Sequence, residues 1–354
     1  MKRFQISDFR FQIYCALAAL ALVVECAAAD RVDEALLRAT QYLLQQQDES
    51  GAISNKMRNE TAMTSLSILA LASLGHQAGD ASPEGQAMKK ALAYVLSSGV
   101  QEKDGYFGQK DGSRMYGHGI TTLMLAEMLG MGVDAQQDEL IRDRCRKGLE
   151  LILRAQKIPK NEVSRGGWRY TPDTSESDMS VTVWQTMALR AAKNAGLDVP
   201  KGAIEDAVKY IKRCYEPDAD KKGDAKLGGF GYQSKGRELS TTAEGLLALQ
   251  VCGEYESEEV LSASDRLLKS GVTENEKWLF YLTYYYAQGM YQRGGKHAVE
   301  GRKVVADVLL PMQSRDGSWE GKGGEERGGG KVYATAMAVL SLAVKNHFLP
   351  IYQR

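Results

Sequence analysis

The chain has 354 residues, of which 44% are hydrophobic and 25% charged, and it carries 45 basic and 45 acidic residues. An ordinary apolar fraction with no net charge excludes a disordered chain, and the lack of a basic excess argues against a nucleic-acid-binding protein. Glycine is the unusual residue, because 36 glycines accompany only 7 prolines, above the usual glycine share of about 7%.

The first 29 residues have the pattern of a secretory signal peptide. Basic residues up to Arg10 precede an apolar run at residues 13–24, and a small-residue cleavage site ends at Ala29. The apolar run is too short to cross a bilayer, which takes about 20 residues. We therefore predict cleavage near Ala29 and export of residues 30–354, as one domain without a membrane span, to the periplasm or the extracellular space. An uncleaved membrane anchor is the alternative.

One unit recurs through the rest of the chain. It consists of an amphipathic helix, a loop with glycine beside an aromatic residue, and a more apolar helix; the fifth unit lacks the glycine loop. The first helices are predicted at residues 32–47, 86–97, 140–156, 204–214, 260–270 and 299–313. The second helices are predicted at residues 61–75, 119–130, 179–195, 241–252, 278–291 and 333–342.

The two kinds of helix are predicted to differ in how much of their surface is buried. The first helices carry charges on one face, which suits an outer, half-exposed position, whereas the second helices are apolar nearly all round and must be buried on every side. Two concentric layers satisfy both patterns. Because each unit buries its faces only against its neighbours, six units form either an open solenoid or a closed ring.

The loops and the helix ends before them resemble the QW repeat of squalene and oxidosqualene cyclases, a repeat class shared with protein prenyltransferase β subunits. Gln156 with Gly167-Trp168 carries this resemblance, as does Gln313 with Asp316-Gly317-Ser318-Trp319. The resemblance extends over essentially the whole mature chain. It implies an all-α fold, an α/α toroid of six outer and six inner helices with a central cavity at one end.

The resemblance also directs attention to acidic residues at the starts of inner helices. In the cyclases, a D-x-D-D-T-A segment there supplies a proton, which requires a carboxyl group kept protonated by its surroundings. Ser240 stands at the matching position in Ser240-Thr241-Thr242-Ala243-Glu244, and Glu238 lies two residues upstream. Asp178 stands in a similar frame before the third inner helix. We predict Asp178 and Glu238 as candidate catalytic residues, with helix capping as the alternative for Asp178.

A zinc site of the prenyltransferase kind is not expected. The chain has 4 histidines, and none has a cysteine at ligand spacing. We therefore expect no metal and no cofactor, and the missing zinc ligands together with the predicted export argue against protein prenylation. His118, at the start of the second inner helix, is predicted as a third candidate catalytic residue at the cavity mouth. A hydrogen-bonded loop histidine is the alternative.

Aromatic residues are concentrated in the fifth inner helix. Trp278, Tyr281 and Tyr285 share one face through their i, i+3, i+7 spacing. Aromatic rings of this kind line the cavity of cyclases and stabilise carbocations. We predict these three residues, with Trp184 of the third inner helix, as ligand-binding residues. Core packing and stacking against sugars are the alternatives.

The sequence is compatible with three functions. The first is an exported cyclase-like repeat protein that binds or acts on an apolar, isoprenoid-like ligand in the central cavity without the standard catalytic motif. The second is a non-catalytic binding scaffold. The third is a toroid polysaccharide lyase or hydrolase, for which Arg114, Arg165 and Arg237 in the loops would serve. Both an enzyme and a binding protein fit, and the sequence indicates no particular protein partner.

Overall fold

The computed structural model describes residues 31–54, 58–218, 227–346 and 348–353. The predicted signal peptide lies outside these residues. Within them, no helix combines the length and the hydropathy that crossing a membrane requires.

The helices alternate between an outer and an inner layer along the chain. The outer helices are α1 (residues 31–45), α3 (Pro83–Leu96), α5 (Ala135–Gln156), α7 (Lys201–Arg213), α9 (Glu258–Ser270) and α11 (Gly295–Leu309). The inner helices are α2 (Glu60–Ser73), α4 (Arg114–Glu127), α6 (Met179–Asn194), α8 (Leu239–Val251), α10 (Leu279–Arg293) and α13 (Gly330–Leu342).

Short elements complete the described fold. Helix α12 (Gly324–Gly328) precedes the last inner helix, and three 3₁₀ turns lie at Leu310–Met312, Ala343–Asn346 and Pro350–Tyr352. Strands β1 (Tyr215–Glu216) and β2 (Gly229–Phe230) pair antiparallel, with Tyr215 opposite Phe230.

The inner helices form a closed ring. Each packs against the next in the order α2, α4, α6, α8, α10 and α13, and α13 packs against α2. In α2, every residue from Thr61 to Ser73 is buried, whereas α7 buries only the side that faces the ring. Burial on all sides is what an all-round apolar helix requires. The predicted α/α toroid of six helix pairs is therefore confirmed.

In four of the units, a glutamine at the end of the outer helix or a few residues after it joins the loop to the neighbouring unit. The Gln156 side-chain amide donates to the carbonyl of Gly166 at 2.9 Å and to that of Ala203 in α7 at 2.8 Å. The same pair of bonds is made by Gln47, Gln101 and Gln313. Because Gln313 reaches Ala35 of α1, this contact closes the outer layer as well.

The loop aromatic residue is held from both layers. The Trp168 indole N–H donates to the carbonyl of Ile152 at 2.8 Å, and its backbone N–H donates to Thr182 Oγ1 of α6 at 3.0 Å. Equivalent inner-helix hydroxyls accept a loop N–H at Thr64, Thr242 and Thr335. The repeated sequence pattern therefore corresponds to a repeated set of hydrogen bonds between outer helix, loop and inner helix.

The C-terminal segment closes one end of the ring. Leu349, Ile351 and Tyr352 are buried. The Ile351 backbone N–H donates to Glu127 Oε2 at 3.1 Å, and Glu127 is the last residue of α4. The segment therefore lies at the C-terminal ends of the inner helices.

Glu127 makes the stability of the fold depend on pH. Burial raises the pKa of this carboxyl from 4.5 to about 8. The folded state thus holds a proton between these pH values that the unfolded chain has released, and the free energy of unfolding falls as the pH rises through this window. Each unit of pKa difference corresponds to about 1.4 kcal/mol.

We expect Glu127→Gln to flatten this pH dependence, because glutamine stays neutral. Urea unfolding at pH 5 and pH 8 measures it, with the exposed Glu139→Gln as the matched control. An unchanged difference between the two pH values in Glu127→Gln would contradict the assignment.

Candidate functional site

A central cavity of about 710 Å³ lies at the N-terminal ends of the inner helices. Every inner helix contributes to its wall through its first two turns. One lining residue from each helix is, in ring order, Leu66, Ile120, Trp184, Glu244, Tyr281 and Tyr333. The cavity is therefore at one end of the ring, as the resemblance implied, and the C-terminal segment is at the other end.

Aromatic rings form much of the wall and floor. Trp184, Trp278 and Tyr281 line the cavity. Beneath them, the Trp184 ring stacks on Tyr284 with centroids 5.7 Å apart and planes 8° from parallel. Tyr285 is fully buried and does not line the cavity, since it packs edge-on behind Tyr281 at 4.8 Å. Three of the four predicted ligand-binding residues thus reach the cavity, and Tyr285 belongs to the layer below it.

Glu244 is the more buried of the two carboxyl groups that line the cavity within the described residues. It is 1% exposed, and its Oε1 accepts a hydrogen bond from Ser180 Oγ at 3.3 Å. Its Oε2 is buried and has no hydrogen-bond partner among the described residues. Burial, with the nearby charge of Asp178 adding to it, raises the pKa of Glu244 well above its ordinary value.

A neutral Glu244 is a hydrogen-bond donor. A protonated carboxyl has a single O–H, so a neutral Glu244 whose Oε1 accepts from Ser180 would carry its proton on the unpartnered Oε2. Sequence reasoning did not select this residue. The available signal was a lone acidic residue in an otherwise uncharged inner helix, one turn after Ser240.

Asp178 caps helix α6. Its Oδ1 accepts the backbone N–H of Val181 at 2.9 Å, and its Oδ2 lies 3.6 Å from Arg169 Nε. Burial raises the pKa of Asp178 to about 6, while the Val181 N–H and the Arg169 charge oppose this rise. Asp178 does not line the cavity. The capping interpretation therefore accounts for its position.

His118 takes part in the hydrogen bonds of the repeat. Its Nδ1 accepts the Phe107 backbone N–H at 3.3 Å, and its Nε2 bonds the carbonyl of Gly148 at 3.1 Å. It is fully buried, and this burial lowers its pKa to about 4. His118 fills the place that threonine holds in other units, such as Thr182. The expectation that it faces the cavity mouth is therefore wrong.

Glu238 directly precedes α8 and is exposed. Its Oε2 accepts from Thr241 Oγ1 at 3.4 Å, and it does not line the cavity. Thus none of the three predicted catalytic residues forms part of the cavity wall.

Glu326 is a second carboxyl on the cavity wall that sequence reasoning missed. Its two oxygens accept the backbone N–H groups of Leu279, Phe280 and Tyr281 at 2.9–3.1 Å. These are the first residues of α10, so Glu326 caps that helix from the short helix α12. Burial raises its pKa to about 7, and the three N–H groups oppose this rise. These three hydrogen bonds indicate a structural role for Glu326.

Carboxylates near the mouth thus serve mainly as helix caps. Asp111 does the same for α2 by accepting the Thr61 N–H at 2.8 Å. Because the inner helices direct their N-termini to this end, their dipoles favour negative side chains there. Within the part of the chain that the structure describes, no group of three or more histidine, cysteine or acidic residues is arranged to hold a metal ion.

The mouth itself is polar and aromatic. The hydroxyls of Tyr170 and Tyr232 are 2.6 Å apart, and the rings of Tyr116 and Tyr170 lie 6.1 Å apart. Asn59 and Arg114, which also line the cavity, are the two non-glycine residues of the described chain with positive φ, at 69° and 57°. Such backbone strain clusters at binding sites.

A family model of the prenyltransferase alpha-alpha toroid domain matches residues 10–158 and 169–270. The chain belongs to this family. The match confirms the resemblance to this repeat class, to which the QW-like loops pointed. The toroid has serine at Ser240, where the cyclase resemblance places the acid, and its deep cavity carboxyl is Glu244, one turn further along α8.

Comparisons with individual proteins support the fold of this chain and do not extend to its function. No curated protein matches the chain. Among solved structures, the alpha-1,6-mannanase GH76A of Salegentibacter sp. HEL1_6 is 11% identical, with 90% of this chain and 99% of that chain covered and a TM-score of 0.59. Inactive variants of the same mannanase, bound to alpha-1,6-mannotriose or alpha-1,6-mannotetrose, have the same coverage, identities of 11% and 10%, and TM-scores of 0.62 and 0.63.

Proposed function

We propose that the toroid binds a small apolar, isoprenoid-like ligand in its central cavity, and that Glu244 donates a hydrogen bond to a polar atom of this ligand. The observation that carries the proposal is that Glu244 lines the cavity while its buried Oε2 has no hydrogen-bond partner among the described residues. A buried donor without a partner costs about 1–3 kcal/mol. A ligand oxygen at this position would remove that cost.

The size and the lining of the cavity support an apolar ligand. A volume of about 710 Å³ is within the usual range for small-molecule sites. Leu66, Ile120 and Trp184 offer apolar surface in the cavity that Glu244 also lines. A ligand rich in hydroxyl groups would leave most of them unpaired against these side chains.

The same carboxyl suits either binding or catalysis. A neutral acid among aromatic rings can donate a hydrogen bond or transfer its proton to a bound ligand. Ser240 occupies the position of the proton-donating acid of the cyclases, and Glu244 would supply the acid in its place. On the pattern of residues 1–29, we also propose that the protein works after export.

A glycan ligand is the second candidate. The mouth tyrosines Tyr116, Tyr170 and Tyr232 offer rings and hydroxyls to a sugar, and the similar solved structures are named as alpha-1,6-mannanases. Of the three arginines predicted for such chemistry, Arg114 lines the cavity, Arg165 lies in a separate groove, and Arg237 pairs with Asp218.

Fluorescence titration distinguishes these candidates, because Trp184 and Trp278 line the cavity and report on its contents. We expect saturable binding of farnesol and none of mannotriose. Binding of mannotriose alone would overturn the proposal and support the glycan candidate.

Variants of Glu244 test its role in binding. Glu244→Gln retains a donor and should bind farnesol within about threefold of the wild type. Glu244→Leu should bind about tenfold more weakly, since a lost hydrogen bond amounts to about 1.4 kcal/mol. The exposed Glu300→Leu is the matched control. Equal affinity of Glu244→Leu and the wild type would contradict the assigned donor.

A further inference from the structure

We infer that the C-terminal segment, residues 348–353, supports the floor of the central cavity and limits the length of the ligand that it accepts. This inference rests on the function proposed above. It concerns a part of the chain at the opposite end of the ring from the cavity mouth.

The segment is anchored to inner helices from different sides of the ring. Ile351 donates its N–H to Glu127 of α4 at 3.1 Å. The carbonyl of Tyr352 accepts from Gln292 near the end of α10, and the turn at Pro350–Tyr352 contacts α6. The segment therefore crosses the C-terminal end of the ring.

A chain of contacts joins this segment to the cavity. The Tyr352 hydroxyl bonds the Tyr284 hydroxyl. The Tyr284 ring stacks on Trp184 across the interior of the ring at 5.7 Å, and Trp184 lines the cavity. Two stacked rings thus separate the cavity from the C-terminal segment.

This arrangement makes Tyr352 a positioning residue. Tyr284 and Tyr352 are both buried, so loss of the Tyr352 ring would leave the Tyr284 hydroxyl without its partner and with empty space beneath it. An unpartnered buried hydroxyl and an adjoining void are both unfavourable. Tyr284 and Trp184 would move toward the void, and the cavity would deepen.

Ligand length is the readout that separates this role from simple stabilisation. Geraniol, farnesol and geranylgeraniol form a series of increasing length with one hydroxyl at the end. We expect Tyr352→Ala to improve binding of geranylgeraniol relative to geraniol at least about tenfold. The exposed Phe348→Ala, in the same segment, should leave the preference unchanged. If Tyr352→Ala does not fold, Tyr352→Leu replaces it.

Two outcomes would overturn the inference. An equal change in affinity for all three alcohols would show a structural role only. A crystal structure of Tyr352→Ala with Trp184 and Tyr284 in their original positions would do the same without any ligand. Failure of the wild type to bind any of the alcohols would instead contradict the proposed function, and the positions of the two rings in that crystal structure would still decide the inference.

Discussion

Replacing Ser240 with tryptophan should weaken ligand binding at least about a hundredfold, or about 2.7 kcal/mol, while the fold remains intact. Ser240 lines the cavity in the first turn of α8 and is only half-buried. Because residues four apart share a face of a helix, an indole at this position would fill the passage to Glu244. Fluorescence or calorimetric titration with farnesol measures the loss of binding, and thermal unfolding measures the fold.

Ser240→Ala is the matched control and should bind as the wild type does, because it removes only a small hydroxyl group at the cavity mouth. Wild-type affinity in Ser240→Trp would place the ligand outside the cavity. Loss of binding accompanied by a large drop in the unfolding temperature would count against the simple steric explanation.

Replacing Gly317 with alanine should lower the free energy of unfolding by about 3 kcal/mol or more. Gly317 has a φ of 86°, and a Cβ added there would lie 2.3 Å from the carbonyl oxygen of Arg38. Arg38 belongs to α1, so this close approach is part of the contact that joins the sixth unit to the first. Urea unfolding measures the change.

Gly253→Ala separates crowding from backbone strain. Gly253 has a similar φ of 96°, but nothing lies within 4 Å of an added Cβ. Only the strain of a non-glycine residue in this conformation remains, about 1 kcal/mol. Equal effects of the two substitutions would indicate that crowding against the Arg38 carbonyl adds nothing to the backbone strain at Gly317.

The repeat made most of the fold predictable. Apolar periodicity places α6 at residues 179–195, and the helix spans Met179–Asn194. The alternation of amphipathic and apolar helices predicts two layers, which the structure has. The glycines of the second, third and fourth units could be assigned to loops because they lie beside an aromatic residue in a recurring register, as in Gly167-Trp168.

Helix α4 shows where the local pattern failed. Its predicted start was residue 119, because Tyr116-Gly117-His118-Gly119 has the composition of a loop, but the helix begins at Arg114. A Cβ on Gly117 would lie 2.9 Å from that of Ala62, and one on Gly119 would lie 2.9 Å from that of Trp184. These glycines allow close packing with α2 and α6, and tertiary contacts override their low helix propensity.

The sequence predicts which side of α10 faces the cavity, but it does not predict how far the cavity extends along that helix. Helical spacing places Tyr281 and Tyr285 on one side of α10, whereas Trp278 directly precedes that helix. The cavity ends above Tyr285 because Trp184 and Tyr284 fill the interior. Glu326 had no local signal, since the helix that it caps is distant in sequence.

A crystal structure of the protein with farnesol would show directly where the ligand binds relative to Glu244. We expect the isoprenoid chain in the cavity against Leu66, Ile120 and Trp184, with its hydroxyl oxygen about 2.7 Å from Glu244 Oε2. Farnesol bound outside the cavity, or bound inside it with the hydroxyl directed away from Glu244, would contradict the account.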